Sequence, residues 1–251
     1  MGATLVIGSQ YYGFPGVGFG GYVAGRLAEL VGGAAQVTLR SPPPLERALA
    51  VEDGDGRLRL LDGDTLVAEA VPGGPDVEVP EPVSFDEATA ASPGFVGFRR
   101  HPFPMCFCCG TARREGEGLH VFPGGLPGGG GVAAPWIPHP NFAGPDGTVR
   151  PEFVWSALDC PTYFGVLDGG DRVPGVEGDG DGNLALTTGR IHTAVLGPVV
   201  AGERHVVMGW PVSIDGRKHL GGAGVFTEGG ELRAVSVATW LPLPKPAAPG
   251  P

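Results

Sequence analysis

The sequence predicts an α+β protein in which two halves of one chain repeat the same order of elements. In each half, one apolar helix precedes several antiparallel strands. Such a helix buries its apolar face only if the sheet of its own half wraps around it. Many Asp-Gly and Gly-Gly steps separate the apolar segments, which indicates tight turns and a β-rich chain. We therefore expect two helix-wrapped sheets that join into a fused pseudo-dimer.

The first half begins with a predicted helix over residues 19–30, "FGGYVAGRLAEL". Its apolar side chains recur at helical spacing, and Gly32 and Gly33 follow as a stop signal. The segments "AQVTLR" and "ALAVEDGDGRLRLLDGDTLVAEAV" come next, and the Asp-Gly steps of the second one predict a meander of three or four strands. The Pro- and Gly-rich residues that follow lack periodicity. We place the N-terminal half at 1–82 and a linker at 83–105.

The second half is predicted to occupy residues 106–246, before a tail at 247–251. Strands are expected at "GLHVF" and "GVAAPWI", followed by a helix over 150–167, "RPEFVWSALDCPTYFGVL". Four longer strands complete this half. Their segments are "NLALTTGRIHTAVLG", "RHVVMGWPVSI", "RKHLGGAGVFT" and "ELRAVSVATWLPL".

The composition excludes two classes of partner. The formal net charge is −10, and an acidic chain lacks the clustered cations that bind nucleic acid or an anionic membrane. No apolar run reaches the roughly 18 residues of a membrane span, and no basic region precedes a long apolar run at the N-terminus. We expect a cytoplasmic protein whose four cysteines are reduced thiols.

Two short motifs resemble a known family. "CFCCG" at 106–110, followed by "GLHVF", resembles the Cys-Phe-x-Cys-Gly…Gly-Leu opening of PaaI-type thioesterase-like proteins. "RPEFVWSALD" at 150–159 lies where that family has His-Gly-Gly-x-x-x-x-Leu-Leu-Asp at the start of its central helix, and "FGGYVAGRLA" at 19–28 aligns with the same element. The duplicated order of elements resembles the double-hotdog fold of acyl-CoA thioesterases. The resemblance covers most of residues 8–243 and implies hydrolysis of acyl thioesters without a cofactor or metal.

The two halves depart from the family pattern at complementary positions. In the second half Arg150-Pro151-Glu152 replaces His-Gly-Gly, so only the acid Asp159 carries over. In the first half Gly20-Gly21 are kept, while Ala28 occupies the acid position. Because working sites in this family are shared between two hotdog units, the resemblance implies one composite site of Gly20, Gly21 and Asp159. The pseudo-equivalent site, with Pro151 and Ala28, is expected to be inactive.

The expected catalytic groups suit thioester hydrolysis. Free N–H groups at a helix N-terminus stabilise negative charge on a carbonyl oxygen, and glycine lets the ligand approach them closely. Gly18, Gly20 and Gly21 fit this role. Asp159 is expected to act as a general base on water, or as a nucleophile that forms an anhydride.

Further residues are expected to contact the substrate. Glu152, Ser156, Asp159 and Tyr163 share one helix face, which is either solvent-exposed or part of the active site. Ser156 and Thr162 also suit local hydrogen bonds. The residues predicted to bind substrate are Gly18, Phe19, Tyr22, Glu152, Ser156, Thr162 and Tyr163.

The predicted partner is an acyl-CoA or a carrier-bound acyl thioester, and the sequence permits a homo-oligomer. An acidic protein needs local cations to hold the phosphates of coenzyme A. Three cationic pairs are available, although ordinary solvated surface charge is the better explanation for each of them. They are Arg99-Arg100, Arg113-Arg114 and Arg217-Lys218.

The cysteine-rich stretch at 106–109 has three interpretations. Cys106 and Cys109 have the spacing of a zinc knuckle, but no second cysteine pair follows, and His101, His120 and Cys160 could complete the ligands only if the fold brought them together. A nucleophilic Cys108 or Cys109 needs a base and a cationic setting. We expect small buried thiols that pack the second half.

Three other functions remain alternatives or are excluded. "GVGFGG" has the letters of a dinucleotide-binding turn, but no strand directly precedes it and strands do not alternate with helices. A hotdog dehydratase, hydratase or cyclase would usually need a histidine, and the chain offers five candidates without a motif. A non-catalytic acyl-binding protein is the third alternative. The candidate histidines are His101, His139, His192, His205 and His219.

Overall fold

The computed structural model describes residues 3–167 and 186–243 of the chain. Within these residues the helices are α1 (Gly20–Val31), α2 (Phe85–Ala91) and α3 (Pro151–Val166). Three short 3-10 turns occur at Ser92–Gly94, Val96–Phe98 and Pro140–Phe142. The strands are β1 (Thr4–Val6), β2 (Ala35–Leu39), β3 (Ala48–Gly54), β4 (Arg57–Asp62), β5 (Thr65–Pro72), β6 (Gly124–Gly125), β7 (Val132–Trp136), β8 (Leu186–Val195), β9 (His205–Asp215), β10 (Lys218–Thr227) and β11 (Leu232–Pro242).

The strands form one antiparallel sheet that consists of two similar parts. The strand order is β1-β3-β4-β5-β2-β8-β11-β10-β9-β7-β6. The two parts meet where β2 pairs with β8, from Ala35 opposite Thr193 to Thr38 opposite Arg190. Outward from this junction, β5, β4, β3 and β1 on one side correspond to β11, β10, β9 and β7 on the other. The predicted order of one helix and then antiparallel strands, in duplicate, is confirmed.

The two long helices occupy the centre of the molecule. α1 ends at Gly32, whose φ of 84° is the left-handed conformation that glycine adopts without strain. α3 begins with a proline at its first position, where the missing N–H costs nothing. Every residue of α3 after Pro151 is buried. α3 is therefore the core of the second half, packed against β9, β10, β11 and α1.

Two glycines bring α1 into direct backbone contact with α3. A Cβ atom on Gly21 would lie 2.8 Å from Asp159 Cβ and 3.0 Å from Ser156 Cα. A Cβ atom on Gly25 would lie 2.6 Å from Glu152 Cα. Because these two positions are one helical turn apart, they lie on the same face of α1. This face has no side chains at either position, so the α3 backbone can pack against it. The helix face of Glu152, Ser156 and Asp159 is therefore the buried face toward α1, and is not solvent-exposed.

One prediction of local structure is wrong, and one predicted segment contains a helix that was not predicted. No strand forms at "GLHVF", because the N–H groups of Leu119 and Val121 donate to the carbonyls of Phe107 and Cys108 instead of to a sheet neighbour. The predicted linker at 83–105 contains α2, which Ser84 and Glu87 cap reciprocally. The half boundaries themselves stay a prediction.

Two predicted segments lie partly or wholly outside the described residues. These are the beginning of the strand expected from residue 183 and the tail at 247–251. Among the residues that the structure does describe, no helix combines the length and apolarity that crossing a membrane requires.

Candidate active site

Asp159 of α3 and Gly21 of α1 are joined by a hydrogen bond. The Gly21 N–H donates to Asp159 Oδ2 over 2.8 Å, and the two residues are 138 positions apart in the chain. Asp159 is only 2% exposed. The close approach of the two helices at Gly21 makes this contact possible. The structure thus brings together the two groups from which the sequence predicted a composite site.

The N-terminus of α1 has two N–H groups left for a ligand. A helix leaves its first four N–H groups without partners inside the helix. Of these, Phe19 donates to the Tyr11 carbonyl and Gly21 donates to Asp159. Gly20 and Tyr22 have no acceptor among the described residues. The Gly18 N–H donates to the Pro43 carbonyl, so Gly18 is not an available donor.

The Asp159 carboxyl group is buried with one oxygen unpaired. Burial raises its pKa to about 7, and the nearby Cys106 thiolate adds to the rise, while the Gly21 N–H and the Thr188 hydroxyl oppose it. Oδ1 is buried without a hydrogen-bond partner in the described part of the chain. A carboxyl group with a free oxygen and a pKa near neutrality suits proton transfer.

Two residues beside the site were not predicted from the sequence. A Cβ atom on Gly20 would lie 3.1 Å from Leu39 Cδ1, 3.4 Å from Asp159 Oδ2 and 4.0 Å from Thr188 Cβ. Leu39 ends β2 and Thr188 lies near the start of β8, and both are half-buried. The pairing of β2 with β8 brings them to the site. No local motif marks either residue, because only the junction of the two halves makes them neighbours.

Several solved structures share the fold of this protein along nearly the whole chain. A tesB protein from Mycobacterium avium subspecies paratuberculosis has a TM-score of 0.54 and 14% identity, with 96% of each chain covered. The acyl-CoA thioesterase II TesB2 from Mycobacterium marinum has a TM-score of 0.55 and 17% identity, with 90% of each chain covered. A protein of unknown function with a hotdog fold from Alicyclobacillus acidocaldarius has a TM-score of 0.55 and 11% identity, with 97% of this chain and 93% of that chain covered.

The chain has a double-hotdog fold. No protein-family model and no curated protein matches it. At identities between 11% and 17%, these likenesses establish the fold, and the activity has to be argued from the site.

The pseudo-equivalent position of the double hotdog lacks the same pair. The contacts of Gly21 and Gly25 define an antiparallel register between the helices, and its continuation places Ala28 opposite Glu152. Glu152 is buried, its Oε2 has no partner in the described residues, and Arg150 Nε lies 3.5 Å from its Oε1. Burial raises the pKa of Glu152. Glu152 lies about 10 Å along α3 from Asp159, and thus belongs to the other end of the helix pair.

The other residues predicted to bind substrate have partners within the protein. Ser156 Oγ donates to the Glu152 carbonyl over 2.7 Å. Thr162 Oγ1 donates to the Asp159 carbonyl over 2.6 Å and accepts from Trp240 Nε1 over 3.0 Å. The Tyr163 ring packs on that of Trp240. Their role in substrate binding stays a prediction.

Phe19 and Tyr22 belong to an aromatic cluster. The Tyr22 ring stacks on Tyr11 with centroids 4.0 Å apart, and its hydroxyl accepts from Arg26. Phe19 is buried and lies near the Phe107 ring. Both residues lie at the N-terminus of α1, and their role in substrate binding stays a prediction.

A pocket of about 510 Å³ lies beside the loop that leads into α1. Gly20, Gly21 and Asp159 do not line it. Its walls come from the loop before α1 and from the segment before the cysteines. The lining residues are Ser9, Tyr12, Gly13, Pro15, Gly16, Leu45, Pro102, Phe103, Pro104 and Met105.

One of the predicted phosphate-binding cations is buried. Arg113 is 8% exposed, and it donates to the carbonyls of Met105 and Glu117. Its guanidinium group also lies over the Tyr12 ring, 4.9 Å from the centroid. Arg113 is thus a structural residue and is not available to a phosphate. The other five candidates are exposed, namely Arg99, Arg100, Arg114, Arg217 and Lys218.

All four cysteines are buried free thiols, as predicted. Cys106, Cys109 and Cys160 have sulfur atoms within 4.8 Å of one another. Hydrogen bonds from the Cys109 and Cys160 thiols hold the pKa of Cys106 well below its ordinary value. Burial raises the pKa of Cys108, which disfavours it as a nucleophile. His120 is bonded elsewhere, to the Arg113 carbonyl.

Proposed function

We propose that the protein hydrolyses acyl thioesters at one composite site between its two hotdog halves. The hydrogen bond between the Gly21 N–H and Asp159 Oδ2 is the observation that carries this proposal. It sets a buried carboxyl group of one half against the helix N-terminus of the other. The coarse assignment to thioesterase chemistry is also supported by the names of two structural neighbours, a tesB protein and an acyl-CoA thioesterase II.

The proposed reaction uses Gly20 and Asp159 on opposite sides of the thioester carbonyl. Asp159 Oδ1 accepts a proton from water as the water oxygen attacks the carbonyl carbon. The negative charge that develops on the carbonyl oxygen is stabilised by the Gly20 N–H, and such a donor contributes about 3 kcal/mol to the transition state. The carbon–sulfur bond then breaks, and the leaving thiolate takes the proton from Asp159. The products are a carboxylic acid and a free thiol.

The Gly21 N–H has a positioning role in this scheme. Because it already donates to Oδ2, it fixes the carboxyl group and leaves Oδ1 for the water. The thioester must approach from the side of Leu39 and Thr188, since α1 and α3 touch on the other side. In the present conformation Asp159 is 2% exposed, so substrate binding requires these two side chains to move apart.

We propose an acyl-CoA, or an acyl group on a carrier protein, as the substrate. Both present a thioester at the end of a long flexible arm, which suits a site buried between two halves. Five exposed cations remain for the phosphate groups after Arg113 is set aside. The protein is proposed to act in the cytoplasm.

The decisive experiment measures release of free thiol from acyl-CoA substrates with a thiol reagent. Asp159→Asn keeps an oxygen for the Gly21 N–H but removes the base, so we expect a loss of at least about 100-fold in kcat. Glu152→Gln is the matched control, because it neutralises the other buried acid of α3 at the pseudo-equivalent position. We expect it to keep most of the activity.

The other outcomes of this experiment separate the rival functions. Equal rates for wild type and Asp159→Asn would eliminate the general-base role. Acyl-CoA binding without turnover in the wild type would indicate an acyl-binding protein. A dehydratase or hydratase is less well supported, because no histidine hydrogen-bonds to Asp159, Gly20 or Gly21 within residues 3–167 and 186–243.

A further inference from the structure

Three cysteines that lie apart in the sequence converge at one point in the core. Cys106 and Cys109 belong to the turn at the start of the second half, and Cys160 lies on α3 directly after Asp159. Cys160 Sγ is 3.8 Å from Cys106 Sγ and 3.4 Å from Cys109 Sγ. These are the separations of free thiols, since a disulfide bond is about 2.0 Å long. All three sulfurs lie within 4.8 Å of one another.

The spacing of the sulfurs matches a tetrahedral metal site. Zinc binds thiolate sulfur at about 2.3 Å, and a tetrahedron of that size has sulfur–sulfur edges of about 3.8 Å. The two observed separations of 3.4 and 3.8 Å are close to this edge. Three sulfur atoms in a buried, reduced cluster are also the ligand type that zinc and other soft cations prefer.

The local backbone is shaped to hold this cluster. The Gly110 N–H donates to the Cys106 carbonyl over 2.9 Å and closes the turn. A Cβ atom on Gly110 would collide with the backbone of Cys106 and Pro104, so only glycine fits here. His101 Nε2 lies 3.4 Å from Cys109 Sγ. Its other nitrogen accepts from the Phe103 N–H, so Nε2 carries the proton. That N–H donates to the Cys109 carbonyl over 3.0 Å and also lies within reach of the Cys109 sulfur.

A buried positive charge lies beside the cluster. Arg113 Nε donates over 2.8 Å to the carbonyl of Met105, the residue before Cys106. Three thiolates and one divalent cation carry a net charge of −1. A guanidinium group that is itself buried can offset this charge. The charge of a metal-bound cluster is thus balanced by a residue that the candidate active site does not use.

We propose that Cys106, Cys109 and Cys160 bind one Zn²⁺ ion as thiolates, with His101 as a hydrogen-bond donor to the Cys109 sulfur. One oxygen or nitrogen ligand completes the tetrahedron. The ion ties the Cys106–Gly110 turn to α3 next to Asp159, so its role is to position α3. The three sulfur ligands take no part in the chemistry of the proposed hydrolysis.

Cys108 provides a matched control within the same tetrapeptide. Pro161 lacks an N–H group, so the Ala157 carbonyl has no partner four residues later in α3. The Cys108 thiol points to that carbonyl, with its sulfur 4.0 Å from the oxygen. Cys108 is thus as buried as the three clustered cysteines but has a different structural role.

The test titrates reduced, metal-free protein with Zn²⁺ and with Co²⁺. We expect one ion per chain, with the thiolate-to-cobalt charge transfer and the visible d–d bands of a tetrahedral site. Cys106→Ala, Cys109→Ala and Cys160→Ala should each weaken Zn²⁺ binding by at least about 100-fold. Cys108→Ala should bind like the wild type. His101→Ala should lose about 10- to 100-fold in affinity, as expected for a residue that orients a metal ligand.

X-ray absorption spectroscopy of the wild-type protein with bound Zn²⁺ identifies the ligand atoms of the metal, and it does not depend on whether the variants fold. Three sulfur atoms at about 2.3 Å and one lighter atom at about 2.0 Å would support the site. The proposed site would be overturned by a zinc coordination shell without sulfur, or by binding of less than one Zn²⁺ per chain. Equal loss of Zn²⁺ binding in Cys108→Ala and Cys160→Ala would also overturn it. A disulfide bond among the three cysteines in reductant-treated protein would also overturn it.

Discussion

The hydroxyl of Thr162 connects α3 to the sheet. It donates to the Asp159 carbonyl and accepts from the indole N–H of Trp240 on β11. Ser156 lies six residues earlier, and within the described part of the chain its hydroxyl has one partner, the Glu152 carbonyl of its own helix. The two buried hydroxyls therefore differ in what their removal leaves behind. Without Thr162 Oγ1 a buried indole donor loses its partner, whereas without Ser156 Oγ no donor is stranded.

This difference gives a prediction for stability. Thr162→Val should lower the free energy of unfolding by about 1–3 kcal/mol, which is the cost of a stranded buried donor. Ser156→Ala should cost less than about 1 kcal/mol. Urea denaturation followed by tryptophan fluorescence would measure both. Equal losses would show that Trp240 does not depend on Thr162.

Single residues also show the limit of sequence reasoning at the site. Asp159, Gly20 and Gly21 lie in segments that resemble the family motif, and that resemblance implies their pairing. Leu39 and Thr188 carry no motif and reach the site only because β2 pairs with β8. The same holds for Cys160, whose proximity to Cys106 and Cys109 depends on the tertiary fold.

At the scale of elements, the contact between α1 and α3 depends on small residues. The helix surface at Gly21 and Gly25 admits the backbone of α3 directly. A larger residue at either position must push the helices apart, which would also lengthen the Gly21–Asp159 hydrogen bond. Packing of the two helices and geometry of the site are therefore coupled.

Gly25→Ala tests this coupling. The added Cβ atom would lie 2.6 Å from Glu152 Cα, so we expect a loss of about 1–3 kcal/mol in stability, despite the better helix propensity of alanine. Gly33→Ala is the control, because nothing lies within 4 Å of its Cβ position, and its effect should stay within about 1 kcal/mol. Thermal and chemical unfolding would measure the two variants. Similar stability for both would contradict the proposed close contact.

The elements that could be predicted are those with a strong local pattern. Helical periodicity with a glycine stop predicted α1 within one residue at each end, and Asp-Gly turns predicted the strands β3 to β5. α2 has only seven residues, too few for periodicity to stand out, and its one signal was the Ser84–Glu87 capping box. The segment "GLHVF" has the apolar pattern of a strand, but two of its backbone N–H groups donate to the carbonyls of Phe107 and Cys108 instead of to a neighbouring strand.

At the scale of the whole molecule, the second half depends on tertiary connections to α3. α3 is buried after its first residue and is held by α1 on one side and β9 to β11 on the other. The proposed Zn²⁺ site adds a connection to the turn at Cys106–Gly110. Removing the ion would therefore loosen the element that carries Asp159.

Metal removal gives a prediction at this scale. Zn²⁺ at 1,000 times its dissociation constant adds about 4 kcal/mol to the free energy of unfolding if it binds only the folded chain. Chelation should therefore lower the melting temperature of the wild type and of Cys108→Ala equally, and Zn²⁺ should restore it. Cys160→Ala should not respond to chelation. A melting temperature that is independent of Zn²⁺ in the wild type would contradict a structural metal.

The double-hotdog arrangement places one half of the proposed catalytic machinery in each part of the chain. The most direct test is a crystal structure with a non-hydrolysable thioether analogue of an acyl-CoA that keeps the carbonyl group. We expect the carbonyl oxygen about 3 Å from the Gly20 N–H, with Asp159 Oδ1 within reach of the carbonyl carbon through one water. An analogue bound with its carbonyl away from both α1 and Asp159, for example only in the pocket beside Tyr12 and Met105, would contradict the composite site.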